Sequence, residues 1–176
     1  MSPRDRIMET ASRLFYTQGY NNTGINQLIK EAKVAKASFY EYFPSKEDLL
    51  VEYLKAAAEQ TNRLLKTAVE KAATPREKVL AVFDHLMQRS RQTQYNGCNF
   101  LNILAEIPLN NKEVKTLVRS QKDHIRSLFS QILGRGKKDR LADELYLLFD
   151  AALSTSKVYE DSWPIEASKR LAAQLM

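Results

Sequence analysis

Between Thr23 and Lys46 the chain gathers side chains suited to a polyanionic surface. They are hydroxyls at Thr23 and Ser38, an amide at Asn26, ammonium groups at Lys36 and Lys46, and phenols at Tyr40 and Tyr42. Hydroxyl and phenol donors, together with helix N-termini, suit phosphate oxygens. The stretch reads as two short helices around a tight turn, which is the geometry that lays a recognition helix in the major groove of DNA. On the second of these, predicted over residues 36–42, Phe39 and Phe43 stand four apart and turn inward with Ile25, Leu28 and Val34, closing a three-helix core against Leu14 and Phe15. Lys36, Ala37, Ser38, Tyr40 and Glu41 fall on the remaining faces. Because the N-terminal end of such a helix meets base edges, these are the candidate readers, joined by Asn26 early in the preceding helix. Glu41 either accepts from a cytosine amino group or turns away from the phosphates.

Helix signals along the chain supply the elements that must hold these groups. Ser2-Pro3-Arg4-Asp5 caps a first helix over about 3–18, with Ile7, Met8, Ala11, Leu14 and Phe15 at helical spacing and Gly19 where a left-handed residue would end it. Thr23 is expected to cap the second helix. Pro44 stops the third, and Ser45-Lys-Glu-Asp48 opens a long helix to about Ala73, ~40 Å at ~1.5 Å per residue, enough to join two domains. Thr74-Pro-Arg-Glu77 is a complete capping box for a helix to about Thr93, followed by a break at Asn96-Gly97. A short helix over Cys98 to Ile107 follows, then one from Asn110-Asn-Lys-Glu113 to Leu133 before Gly134-Arg-Gly136. One from about Lys138 to Tyr159 and one after Ser162-Trp-Pro164 complete the chain. With no convincing alternation of apolar and polar residues, the fold class is all-α with about nine helices. The domain boundary is read near residue 50, giving a helix-turn-helix module over 1–50 and a larger helical domain over 51–176.

Composition narrows the classes further. The 176 residues carry 27 Lys and Arg against 21 Asp and Glu, a net charge of +6, which suits a polyanionic partner. Residues 1–46 hold seven of the basic side chains and four acidic ones, or +3, while Lys112 to Arg140 is also basic and reads as a solvated face. The apolar runs are short and the N-terminus lacks the apolar core of a signal peptide, so a cytoplasmic protein with no membrane span is expected. One cysteine, Cys98, and two separated histidines, His85 and His124, make no disulfide and no zinc cluster. Neither histidine has a glutamate three residues before it, as a di-iron helical bundle needs, so an enzyme is disfavoured and no cofactor or metal is expected.

The run from Ala32 to Leu50, Ala-Lys-Val-Ala-Lys-Ala-Ser-Phe-Tyr-Glu-Tyr-Phe-Pro-Ser-Lys-Glu-Asp-Leu-Leu, resembles the signature of the TetR family of bacterial transcriptional regulators. With Phe15 and Gly19-Tyr20 the resemblance covers about residues 4–53. It implies that side chains at 36 to 38 approach bases while Thr23, Tyr40, Tyr42 and Lys46 hold phosphates. It also implies a homodimer on a palindromic double-stranded operator, a small-molecule effector and repression as the outcome. Two departures stand out. The family usually has glycine where Lys33 stands, so either Lys33 is forced to positive φ at a cost of ~1 kcal/mol or the turn is remodelled. Ala35 replaces the usual serine and removes a cap worth ~1 kcal/mol.

For the C-terminal domain the resemblance implies an effector pocket whose candidate lining is Phe83, Met87, Cys98, Phe100, Asn102, Gln121, His124, Leu128, Tyr146 and Phe149. It implies a dimer interface on stripes of Leu145, Leu148, Phe149, Ala152 and Thr155 with Ala167, Leu171 and Leu175. Cys98 follows Gly97 at a predicted helix N-terminus and resembles a thiol that senses oxidants or electrophiles in a subset of the family; a small buried cysteine is its structural alternative. A protein-interaction adaptor built on a degenerate DNA module is the alternative from a different class.

Overall fold

The computed structural model describes residues 1–134 and 140–176, which form nine α-helices and, among the described residues, no strands. These are α1 (Pro3–Thr17), α2 (Ile25–Ala32), α3 (Lys36–Tyr42), α4 (Lys46–Glu70), α5 (Pro75–Gln92), α6 (Asn99–Glu106), α7 (Lys112–Ile132), α8 (Arg140–Tyr159) and α9 (Trp163–Leu175). The expected start of the eighth helix at Lys138, the stop signal beyond Gly134, and the charges of Arg135, Lys137 and Lys138 lie outside the described residues.

Capping chemistry sets most of the starts. Ser2 Oγ accepts the Asp5 N–H at 3.1 Å while the Asp5 carboxylate accepts the Ser2 N–H at 3.0 Å, and Pro3 takes the first helical position. Thr74 and Glu77 repeat this box ahead of α5, Ser45 Oγ accepts the Asp48 N–H at 3.0 Å at the head of α4, and Asn111 Oδ1 accepts the Val114 N–H at 3.0 Å at α7. At α2 the expectation is corrected. Its N-cap is Gly24, with no side-chain cap, because the Thr23 hydroxyl is already committed to Gly19.

The chain divides into two compact units. The first comprises residues 1–58 and 99–118, so it holds the three N-terminal helices and also α6 with the start of α7. Its core is Ile7, Ala11, Leu14 and Phe15 of α1, Leu28 and Ala32 of α2, Phe39 and Phe43 around α3, and Leu49, Leu50, Tyr53 and Leu54 of α4. Phe15 meets Tyr20 and Tyr53 edge-on at 5.2 and 5.5 Å. Ile25 and Val34, expected inside, are only half-buried, as is Ile29. A module of some fifty residues buries proportionately little surface. The buried side chains of Phe100, Ile103, Ile107, Val114 and Val118 enlarge the apolar interior of this unit.

The second unit, residues 59–98 and 119–176, is built around three phenylalanines. Phe83, Phe129 and Phe149 lie with ring centroids 6.2 to 6.4 Å apart, surrounded by Val79, Val82, Leu86, Leu145 and Ile165. Burying one such ring is worth ~1.5–3 kcal/mol.

Candidate nucleic-acid interface

The α2–α3 turn depends on a residue in an uncommon conformation. Lys33 stands at φ 52°, ψ 51°, the left-handed region, so of the two outcomes open to it the strained lysine, not a remodelled turn, is the one adopted. There its N–H donates to the Lys30 carbonyl and the Val34 N–H to the Ile29 carbonyl, each at 3.2 Å, closing the C-terminus of α2 with the paired bonds of a Schellman motif. Arg6 of α1 donates to the Lys33 carbonyl at 3.4 Å and ties the turn to the first helix. Ala35 is the N-cap of α3 and, as expected, provides no side-chain bond.

Helix α3 is oriented by its buried aromatics. Phe39 is fully buried, as is Phe43 directly after the helix, and their ring centroids lie 6.3 Å apart. Lys36, Ala37, Tyr40, Glu41 and Tyr42 are consequently exposed, the two tyrosines each at 40%, while Ser38 is half-buried. Asn26 is exposed on the first turn of α2. Lys46 is half-buried at the start of α4, its ammonium 4.1 Å from the centroid of the Tyr20 ring. Burial lowers the basicity of Lys46 and the charge of Glu106 raises it, with burial the larger effect.

Thr23 has a different role from the one the resemblance implies. It is fully buried, its hydroxyl donates to the Gly19 carbonyl at 2.7 Å and accepts from Gln18 Nε2 at 3.2 Å, and its N–H donates to the Tyr20 carbonyl at 3.2 Å. Both donors it would offer a phosphate, the hydroxyl and the N–H, are spent on the α1–α2 loop. A polar network continues from it across the back of α2. Gln18 and Gln27 exchange amide hydrogen bonds, Gln27 donates to Glu31 at 2.9 Å, and Arg13 donates to Glu31 at 2.6 Å. The hydrogen bond from Arg13, then that from Gln27, holds the Glu31 carboxyl below its ordinary range.

Sequence reasoning missed Glu106. At the end of α6 it accepts the Asn21 N–H on Oε2 at 2.7 Å and the Asn21 side-chain amide on its carbonyl at 2.9 Å. Its carboxylate sits against Gly19, which has φ 93° and where an added Cβ would come within 2.9 Å of Oε1. Asn111 donates to Glu47 at 2.5 Å in the same unit. Only the glycine at 19 hinted at a close approach, and nothing in the local pattern pointed to a partner 85 residues away.

The expected effector lining is dispersed. Phe83 and Phe149 are packed core, Met87, Leu128 and Tyr146 border it, and Gln121 is buried, donating to Asn62 at 2.9 Å. His124 is exposed, and Phe100 and Asn102 belong to the first unit. A charged cluster stands out instead: Lys122 pairs with Asp150 and donates to Cys98 Sγ at 3.5 Å. Burial works against the charged form of Lys122, but Cys98, Asp150 and Tyr146 outweigh it and leave its basicity raised. The expected interface stripe on α8 is corrected too. Leu145, Phe149 and Ala152 are buried in their own core, Leu148 packs against it and Thr155 is half-buried. The exposed apolar residues of α8 include Leu147, Ala151 and Val158, two positions further round, with Tyr159 at its end; on α9, Trp163, Leu171 and Leu175 are exposed and Ala167 half-buried.

A recognition helix presented outward by two buried rings defines a helix-turn-helix DNA-binding regulator. Residues 7–53 match the family model described as bacterial regulatory proteins, tetR family. The uncharacterized regulator YxaF of Bacillus subtilis is 38% identical over 77 residues, a stretch covering 43% of this chain and 40% of the relative, so the match spans less than half of either. The repressor NemR of Escherichia coli is 26% identical over 175 residues, covering 93% of this chain and 88% of the relative, and its reduced form aligns with TM-score 0.83 at 24% identity over 99% and 97% of the two chains. The crystal structure of SCO4454, a TetR-family regulator from Streptomyces coelicolor, aligns with TM-score 0.90 at 25% identity, covering 98% of this chain and 87% of the other. Through residues 7–53 the chain is thus similar to the bacterial tetR-family regulatory proteins, and over nearly its whole length to TetR-family regulators of known structure.

The turn makes a direct prediction. Lys33→Gly, which relieves the left-handed conformation, and Ala35→Ser, which restores a cap, should each stabilise the protein by ~1 kcal/mol. Denaturant unfolding reads this, and a loss of stability in either variant contradicts the turn geometry.

Proposed function

We propose that the protein is a homodimeric repressor that binds a palindromic operator and is released when a small molecule binds its second unit. One observation supports the DNA site above all: Phe39 and Phe43 are buried while Lys36, Ala37, Tyr40, Glu41 and Tyr42 face outward on a helix of the right length. Lys36 and Ser38, with Asn26 and Glu41, select the sequence; Tyr40, Tyr42 and Lys46 hold the phosphates. Among the described residues no helix is long and apolar enough to cross a membrane, which agrees with a regulator working on DNA in the cytoplasm.

Two copies meet, in this reading, along the exposed apolar residues of α8 and α9. Leu147 is 62% and Val158 77% exposed, and Leu171, Leu175 and Trp163 are exposed beside polar neighbours. A self-complementary contact of this kind has two-fold symmetry, and the operator should share it. Repression, rather than regulation in general, is suggested by likeness to the repressor NemR.

A second mode of release rests on the cation beside Cys98. A partly exposed thiol next to an ammonium group is the setting in which cysteines react with electrophiles and oxidants, and Lys122 stands 3.5 Å from the sulfur. Modification there would disturb the Lys122–Asp150 pair.

Three measurements test these readings. In gel shifts on the promoter beside its own gene, Tyr42→Ala and Lys46→Ala should weaken binding to all sequences alike, and Lys46→Ala should flatten the salt slope by about one unit. Substitutions at Lys36 and Ser38 should change which sequence is preferred; an equal loss on every sequence from Lys36→Ala removes it from the readers. Leu147→Asp combined with Leu171→Asp should give a monomer by sedimentation, and a persisting dimer places the interface elsewhere. Cys98→Ser should abolish operator release by an electrophile, and unchanged release ends the thiol reading.

A further inference from the structure

Glu106 grips the α1–α2 loop at the residues on either side of Tyr20. Its Oε2 accepts the Asn21 N–H at 2.7 Å, and its carboxylate abuts Gly19, where an added Cβ would meet Oε1 at 2.9 Å. Between those two gripped residues the Tyr20 ring carries the Lys46 ammonium 4.1 Å above its centroid. The ring face and the carboxylate thus act on the same cation from within one compact unit. Burial, the larger effect, lowers the basicity of Lys46, and the charge of Glu106 works in the opposite direction.

We infer that Glu106 is a positioning residue for DNA binding, an internal counter-ion that holds Lys46 over Tyr20 in the free protein and sets how strongly this surface takes up phosphate. The inference rests on the reading above in which Lys46 contacts the DNA backbone. A phosphate arriving at Lys46 must compete with the carboxylate for the same ammonium, and a carboxylate close to the contact also repels the polyanion. Both effects lower affinity for every sequence alike and make binding less dependent on salt, since a cation already partnered displaces fewer DNA counter-ions. The hydrogen bond to Asn21 is a separate role: it fixes the loop that supports Tyr20. Glu106→Gln separates the two, because a glutamine Oε1 still accepts the Asn21 N–H and only the charge is lost.

The experiment is a double-mutant cycle on the full-length protein, using a mixed-sequence DNA duplex and fluorescence anisotropy over a range of salt, with the melting temperature of each variant recorded. Glu106→Gln should bind roughly fivefold tighter at low salt, with a salt slope steeper by up to about one unit. Most of that gain should vanish when Lys46→Ala is already present, since the cation it frees is gone. Unchanged or weaker binding by Glu106→Gln, or an undiminished gain in the Lys46→Ala background, overturns the counter-ion role. Should Glu106→Gln fail to fold, Glu106→Asp, which withdraws the carboxylate by one methylene, enters the same cycle with the same signs and a smaller gain. If the unaltered protein shows no salt-dependent duplex binding, the DNA-binding reading itself fails and this inference falls with it. Binding that Lys46→Ala weakens but Glu106→Gln leaves alone removes Glu106 only.

Discussion

The burial of Phe39 and Phe43 is the constraint on which the DNA surface depends. A helix of seven residues is far too short to persist by its own hydrogen bonds. What holds α3 in place is a pair of rings four residues apart, both buried in the three-helix core, and this fixes the rotation of the helix about its axis. Once that rotation is set, the outward positions of Lys36, Ala37, Tyr40, Glu41 and Tyr42 follow from helical geometry. The same burial explains how the motif tolerates an uncapped start and a lysine in the left-handed region. Each of those costs ~1 kcal/mol, whereas each ring contributes ~1.5–3 kcal/mol.

The recognition helix is nonetheless only part of the unit that carries it. Residues 99–118 belong to the same compact body, and their side chains reach the α1–α2 loop at Asn21 and the head of α4 at Glu47. Polar contacts of long sequence separation thereby adjoin Tyr20, whose ring carries the Lys46 ammonium. In the second unit the corresponding organising element is the phenylalanine triad, and the charged group of Cys98, Lys122 and Asp150 lies in that same unit. Among the described residues of this unit Lys122–Asp150 is the least exposed ion pair, and its two charges are already matched to each other.

Most of the helix starts and the α2–α3 motif could be read directly from residues, because capping boxes, proline stops and aromatic spacing act over three or four positions. Ser2 with Asp5 and Thr74 with Glu77 begin their helices as written, and Lys33 takes the left-handed conformation that its place in the turn requires. The misreadings arose where a short-range signal has two physical outcomes. Thr23 looks like an N-cap, yet the Gly19 carbonyl claims its hydroxyl. Leu145, Phe149 and Ala152 form a stripe on α8 that fits an interface or a core equally well until the rest of its own unit closes over it.

What could be read from the residues was the class: an all-α chain whose residues 23–46 spell a turn between two helices, with Phe39 and Phe43 inside and Lys36, Tyr40, Glu41 and Tyr42 out. Those features are local, and local spacing is enough to specify them. Tertiary structure alone decided which face of α8 remains open, that Thr23 supports the loop from within, and that Glu106 lies against Gly19 and Asn21. Each of these depends on a contact formed between distant segments after the helices pack, and no periodicity in the chain records which distant side chain will arrive.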